Sequence, residues 1–272
     1  ASGNQAITWR GCVKVIAVAN KKGGVGKTTT SVNLSAALAA MDKRVLLIDL
    51  DPQGNATVSV GLNKAELGAT AFELMVEQQP LSSVVTSIDT LRMDCLPADG
   101  DLTAAEVALL SAEDREQRLK AALDEGSARY DFVIIDCPPS LNMLTLNASV
   151  AANSVLITMQ CEYFALEGLS ALMETINTVR QTVNPALHIE GILRTLYDPR
   201  NALTNEVSEQ LHQHFEGLVY RTVIPRNVRL AEAPSHGVPG IVYDRLSRGS
   251  TAYMALAGEF MRRQEQNQRG AS

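Results

Sequence analysis

The stretch Val15-Ile16-Ala17-Val18-Ala19-Asn20-Lys21-Lys22-Gly23-Gly24-Val25-Gly26-Lys27-Thr28-Thr29 decides the fold. An apolar run ends in a glycine loop, and a helical pattern follows. This is the strand–loop–helix context that a phosphate-binding loop requires. Gly23, Gly24 and Gly26 let the backbone turn tightly and bring successive N–H groups to face an anion. A helix that starts near Lys27 adds the positive end of its dipole. Lys27 is placed for the β- and γ-phosphates of a nucleotide, and the Thr28 hydroxyl for Mg²⁺. The nucleotide-binding residues expected here are Lys22, Gly23, Gly24, Val25, Gly26, Lys27, Thr28 and Thr29. The general pattern asks for glycine six residues before the terminal lysine, where this chain has Lys21, and Lys22 adds a second cation inside the loop. An ordinary glycine turn is the minor alternative.

Two further segments follow the same logic. Arg44-Val45-Leu46-Leu47-Ile48-Asp49-Leu50-Asp51-Pro52 is an apolar run that ends in acid, as a buried parallel strand does when it delivers carboxylates to the C-terminal edge of a sheet. Period-two alternation puts Asp49 and Asp51 on one side, and Pro52 and Gly54 stop the strand. Asp131-Phe132-Val133-Ile134-Ile135-Asp136-Cys137 repeats the pattern and fits a Walker B element. Mg²⁺ takes one or two carboxylates and keeps several waters, so Thr28, Asp49 and Asp136 are the expected metal residues. A lone acid after an apolar strand is often only a strand cap, but these two acid-ended runs and the glycine loop make three signals in order, each at a strand end, and together point to a site.

Composition agrees with an α/β domain. At 272 residues, 46% hydrophobic and 20% charged, the chain can bury one large core. No Pro/Gly/Ser-rich linker divides it, and no apolar stretch reaches the roughly 18 residues of a membrane span. We expect a leader over 1–13, one ATPase domain over 14–263 and a polar tail over 264–272. Cys12, Cys95, Cys137 and Cys161 lack metal-ligand spacing and read as reduced thiols of a cytoplasmic protein. Strands are expected near 14–19, 44–50, 91–96, 131–136, 153–159, 189–195 and 219–224. Helices are expected near 27–41, 102–110, 113–125, 141–151, 164–183, 202–215 and 248–263. Such alternation implies a doubly wound, mostly parallel sheet with helices on both faces, a single-domain P-loop NTPase whose ligand lies beyond the strand C-termini.

The glycine loop resembles the deviant Walker A motif of the ParA/MinD family of ATPases. Asp136-Cys137-Pro138-Pro139-Ser140-Leu141-Asn142, Gln160-Cys161-Glu162-Tyr163-Phe164-Ala165-Leu166-Glu167-Gly168 and Val223-Ile224-Pro225-Arg226-Asn227-Val228-Arg229-Leu230-Ala231-Glu232-Ala233-Pro234-Ser235 resemble the chromosome-partitioning ParA (Soj) branch. The resemblance covers about residues 14 to 263. It implies that Lys22 reaches a partner's nucleotide across a dimer interface and that Asp51 orients the attacking water, so Lys22, Lys27 and Asp51 are the expected catalytic residues. Pro52 to Thr57 resembles the nucleotide-sensing loop switch I, and Cys137 to Ser140 resembles switch II. The implied function is DNA segregation. ATP and Mg²⁺ drive a sandwich homodimer that binds double-stranded DNA nonspecifically, and a ParB-like centromere-binding protein stimulates hydrolysis. The implied location is cytoplasmic and nucleoid-associated, without stable membrane association. Lys21 departs from relatives, which usually carry an uncharged residue there, and Val238-Pro239-Gly240 stands where a more polar connection is expected.

The residues themselves support DNA binding only locally. A net charge of −6 repels phosphate backbones as a whole. From Gly217 to Ser250, however, Arg221, Arg226, Arg229, Arg245 and Arg248 face only Glu232 and Asp244, a balance of +3. No lysine follows Lys120, so each cation there is a guanidinium suited to bidentate phosphate contacts. Arg200 and Arg229 are the first choices, with Arg226 and Arg248 behind them; a merely solvated basic face is the alternative. Aromatics are 4% of the chain, which disfavours stacking on single strands. Tyr197, Asp198, Pro225, Arg226 and Asn227 follow two late strands and could line an adenine pocket, or form two ordinary turns. The histidines show no catalytic pattern. Three rival functions share the loop. A MinD-like membrane-positioning ATPase would end in an amphipathic helix, which 262–269 does not suggest. An iron–sulfur electron carrier would need bridging cysteines. A small-molecule kinase or amidoligase would transfer phosphate to a metabolite.

Overall fold

The computed structural model describes residues 13–270, so nearly all of the expected leader, with Cys12, lies outside the described residues. In chain order the elements are β1 (Lys14–Ala19), α1 (Lys27–Ala40), β2 (Val45–Asp49), α2 (Asn55–Ser59), α3 (Ala71–Met75), α4 (Leu81–Val84), β3 (Thr86–Ile88), β4 (Met93–Leu96), α5 (Leu102–Leu109), α6 (Arg118–Gly126), β5 (Phe132–Asp136), α7 (Met143–Ala151), β6 (Ser154–Gln160), α8 (Ala165–Thr182), β7 (His188–Tyr197), α9 (Ala202–His214), β8 (Val219–Pro225), α10 (Val228–Glu232), α11 (Gly240–Tyr243) and α12 (Arg248–Gly270). A short 3-10 turn, Ala233–His236, joins α10 to the segment before α11.

The strands form one sheet in the order β3-β4-β2-β5-β1-β6-β7-β8. All pairings are parallel except β3 with β4. The phosphate-loop strand β1 lies between β5 and β6. The chain crosses from β1 outward to β2 on one side and later returns to β6 on the other, which makes the end of β1 a topological switch point. Strand periodicity builds two cores. Val15 and Ala17 of β1, Leu46 and Ile48 of β2, and Val133 and Ile135 of β5 face the layer of α3 to α9. Ile16 and Val18, Val45 and Leu47, and Phe132 and Ile134 face α1 and α12. On that second face Phe132 meets Phe260 edge to face, with ring centroids 5.4 Å apart.

Every strand and long helix expected from the sequence is present, although the helix expected from 113 begins only at Arg118, and two further differences carry information. The edge strand β3 and the one-turn helices α2, α3, α4, α10 and α11 have no counterpart in the expected elements, because spans of three to five residues carry too little periodicity to read. The last helix does not stop at 263. Gln264 continues the inward stripe of Leu256 and Phe260 at four-residue spacing, is buried, and donates its amide to Glu190 Oε1 at 2.5 Å, so α12 runs to Gly270.

Candidate active site

Gly24 and Gly26 both adopt positive φ, 72° and 79°, and Gly26 precedes the first turn of α1. A Cβ on Gly23 or Gly24 would meet nothing within 4 Å, so this side of the loop is an open cradle, whereas one on Gly26 would lie 3.5 Å from Thr195. The Thr195 hydroxyl donates to the Val25 carbonyl at 2.8 Å and fastens the loop to β7. Lys27 is buried, and its ammonium donates to the Lys22 carbonyl at 3.0 Å. Burial lowers its pKa, while the charges of Asp136, Cys137 and Asp51 oppose that shift. The other two lysines point away from the cradle. Lys22 is ion-paired with Glu162, and Lys21 donates to the Ala171 carbonyl of α8 at 3.0 Å.

Asp49 and Asp136 are register partners across β2 and β5, and both are fully buried. Their environments differ. Asp49 Oδ2 accepts the Thr57 N–H and hydroxyl, both at 2.8 Å, and Oδ1 accepts the Asp51 N–H at 3.1 Å. Thr57 also accepts the Ala98 N–H at 2.9 Å. Asp49 thus anchors α2 and the Asp51 turn. Asp136 Oδ1 faces the Ser31 hydroxyl at 2.9 Å, and Oδ2 is buried with no hydrogen-bond partner. Burial pushes the Asp136 carboxyl up to about 8, and the Asp49 charge adds to this; the Thr28 and Ser31 hydroxyls pull the other way. Burial likewise raises Asp49, to about 6, against its donors from Thr57 and Asp51. Asp51 is half-buried and accepts the Gln53 N–H at 2.9 Å.

These features fit Mg²⁺ and a nucleotide. The orphaned Asp136 oxygen is a buried acceptor without a donor, the Gly23–Gly24 cradle is open to phosphate, and Thr28 follows Lys27 in the first turn of α1. Asp49, the other expected metal carboxylate, differs from Asp136 in that both its oxygens already accept donors, Oδ2 two from Thr57 and Oδ1 one from Asp51.

Tyr197 and Pro225 are register partners at the ends of β7 and β8, and the Arg226 N–H donates to the Tyr197 carbonyl at 3.3 Å. Leu196, with φ 51°, turns the chain between Thr195 and Tyr197. These residues therefore lie at the sheet edge that Thr195 joins to the phosphate loop. Within the group, the Tyr197 hydroxyl donates to Asn205 at 2.9 Å, Asn227 caps α10 by accepting the Leu230 N–H at 3.2 Å, and Asp198 is clamped by Arg200 at 2.9 and 2.8 Å. That clamp lowers the Asp198 carboxyl to about 2.

The candidate DNA arginines divide into two kinds. Arg200 is paired with Asp198, and Arg229 with Glu232 at 2.9 Å and Asp244 at 3.4 Å. Arg226 and Arg248 are exposed and make no ion pair among the described residues. Pairing partly neutralises the two first choices and leaves the two reserves as the more available charges. The sequence gives no role to Ser31 or Thr195, places Thr57 only at the end of the segment resembling switch I, and includes Glu162 only within a segment resembling the ParA branch. The first three look like ordinary polar helix or strand residues, and only folding brings them to the acids and the loop. Cys95, Cys137 and Cys161 are buried free thiols.

Residues 13–189 match the family model described as an AAA domain. The chain is 50% identical over 246 residues to the sporulation initiation inhibitor protein Soj of Bacillus subtilis, covering 90% of this chain and 97% of that one. It is 47% identical over 255 residues to the chromosome partitioning protein ParA of Myxococcus xanthus, covering 94% and 90%. A crystal structure named cobyrinic acid a,c-diamide synthase, from Mycobacterium smegmatis with bound ADP and magnesium, superposes with a TM-score of 0.81 at 38% identity, covering 93% and 96%.

Proposed function

The chain belongs to the family of Soj and ParA chromosome-partitioning ATPases, and on that premise we propose a nucleotide-switched mechanism for its site. It is a DNA-partitioning ATPase that uses ATP and Mg²⁺. The observation that carries the mechanism is the convergence of the glycine cradle, buried Lys27 and the orphaned Asp136 oxygen at one switch point.

The backbone from Gly23 to Thr29 and the Lys27 ammonium hold the nucleotide phosphates. Thr28 and Asp136 would hold Mg²⁺, which would supply neutralising charge to the phosphates. Asp51 orients the attacking water, and Asp49 keeps the Asp51 turn and α2 in place. Tyr197, Asp198, Pro225, Arg226 and Asn227 border the base. Lys22 leaves Glu162 and completes the site of a second copy of the chain, so hydrolysis competence depends on dimerisation. The dimer binds duplex DNA nonspecifically through Arg226 and Arg248, with Arg200 and Arg229, in the cytoplasm at the nucleoid. A ParB-like partner stimulates hydrolysis and thereby release.

Sedimentation of the protein with ATP, with and without duplex DNA, tests this reading. The expected result is a dimer with ATP alone and co-sedimentation with DNA only when ATP is present. A chain that stays monomeric with ATP refutes it. A second reading, phosphorylation of a carboxylate on the way to an amide, is favoured by the name of the 38%-identical structure; product analysis separates the two, since partitioning yields only ADP and phosphate.

A further inference from the structure

Helix α1 presents Lys27, Ser31 and Ser35 at four-residue spacing, and all three are buried. Lys27 belongs to the phosphate cradle. Ser35 Oγ has no hydrogen-bond partner. Ser31 stands between them, with its hydroxyl 2.9 Å from Asp136 Oδ1 and 3.0 Å from the Lys27 carbonyl. A serine hydroxyl in a helix interior ordinarily donates its single proton to the carbonyl four residues back, but Ser31 has two acceptors in reach and shares that proton between the Lys27 carbonyl and the nearer Asp136 Oδ1. The second contact, to a fully buried carboxylate, is the unusual one. Ser31 engages Oδ1 at 2.9 Å, whereas Oδ2 has no partner at hydrogen-bond geometry and the Thr28 hydroxyl is the other group acting on this carboxyl.

We propose that Ser31 is a positioning residue for the Walker B acid. By holding Oδ1 it sets the rotation of the carboxylate, so that Oδ2 is the oxygen presented toward Thr28 and the metal. Without that hold the carboxylate can turn about its terminal torsion, which is broad for aspartate, and present either oxygen or neither. Groups that orient a metal-binding carboxylate in this way typically govern about 10–100-fold in metal affinity. The proposal rests on the Mg²⁺–nucleotide reading above and assigns a task to a residue that does not touch substrate.

The test is a Mg²⁺ titration of binding to a fluorescent ADP analogue, using the full chain and its variants. Wild type must first show Mg²⁺-dependent affinity; if it does not, the nucleotide reading itself fails. Given that dependence, Ser31→Ala is expected to need about 10–100-fold more Mg²⁺ for the same effect, while its affinity for the analogue in EDTA stays at the wild-type level. Ser35→Ala removes an identical group one turn along the same helix and is expected to match wild type in both conditions. Ser31→Cys, nearly isosteric with a weak donor, is expected to fall between, and it serves if Ser31→Ala does not fold. In an Asp136→Asn background, Ser31→Ala is expected to add nothing. A wild-type Mg²⁺ requirement in Ser31→Ala, or an equal loss of affinity with and without Mg²⁺, overturns the proposal; the latter would make Ser31 a packing residue only.

Discussion

Asp49 and Asp136 stand opposite each other on adjacent parallel strands, both fully buried, one with each oxygen engaged by donors from the Asp51 turn and α2 and the other with an oxygen that accepts no hydrogen bond. Two carboxylates side by side away from water cannot both ionise cheaply, so burial and their mutual repulsion favour the protonated form of at least one.

A pH dependence of stability follows. Burial raises both acids, with Asp136 up to about 8. In the unfolded chain an aspartate titrates near about 4. Between these values the folded state binds more protons than the unfolded one, so stability falls as pH rises through that window. Without nucleotide and Mg²⁺, the protein is expected to be more stable near pH 6 than near pH 8.5, and Asp136→Asn is expected to flatten the slope. Urea unfolding midpoints across pH check this; a wild-type slope in Asp136→Asn would show that other groups dominate.

The two loop lysines separate binding from assembly. Lys27→Ala removes the buried cation of the cradle and is expected to abolish nucleotide binding. Lys22→Ala is expected to leave the monomer binding ATP but unable to form the ATP-dependent dimer, with hydrolysis lowered by roughly 10³–10⁵, the range of a cross-subunit cation. Nucleotide titration and gel filtration distinguish the two, and normal dimerisation by Lys22→Ala contradicts the assignment.

Lys22 is paired with Glu162 of the same chain, and the proposed trans role requires that pair to open. The pair is largely solvated, so releasing it should matter only modestly. Glu162→Gln is expected to shift ATP-dependent dimerisation to protein concentrations lower by about twofold to fivefold. Sedimentation over a concentration series reads this, and weaker dimerisation would instead mean that Glu162 supports Lys22 in the assembled site.

Asp51→Ala is expected to bind ATP and Mg²⁺ normally and to hydrolyse slowly, so that the dimer persists. Single-turnover hydrolysis followed by gel filtration tests both halves at once. Wild-type turnover would reduce Asp51 to a turn-forming residue that accepts the Gln53 N–H.

DNA binding is expected to require ATP, because one monomer offers few unpaired arginines on an acidic body, and a rigid dimer raises the effective concentration of the second contact. Each phosphate contact contributes about −0.9 to the slope of log K against log salt. Arg226→Ala and Arg248→Ala are expected to reduce affinity and slope at least as much as Arg200→Ala and Arg229→Ala, whose guanidiniums must first leave Asp198, Glu232 and Asp244. Binding to unrelated duplexes over a salt series decides the order, and a quadruple variant with wild-type binding rules out this face.

The linear chain by itself determined the phosphate loop, the acid-ended strands and the α/β alternation, because each rests on short-range chemistry. Glycines permit positive φ at Gly24 and Gly26, and strand periodicity sorts Val15 and Ala17 from Ile16 and Val18. Asp49, Asp51 and Asp136 were legible because two acid-ended apolar runs follow the glycine loop, each at an expected strand end. Folding alone decided what those acids do. Ser31 reaches Asp136 across a sequence separation of 105 residues, and Thr195 reaches Val25 across 170. Pairing of Arg200 and Arg229, and the burial of Gln264, are likewise set by where helices settle. Such contacts are selected by packing the two faces of the sheet, and no local pattern encodes which hydroxyl or carboxylate will meet there.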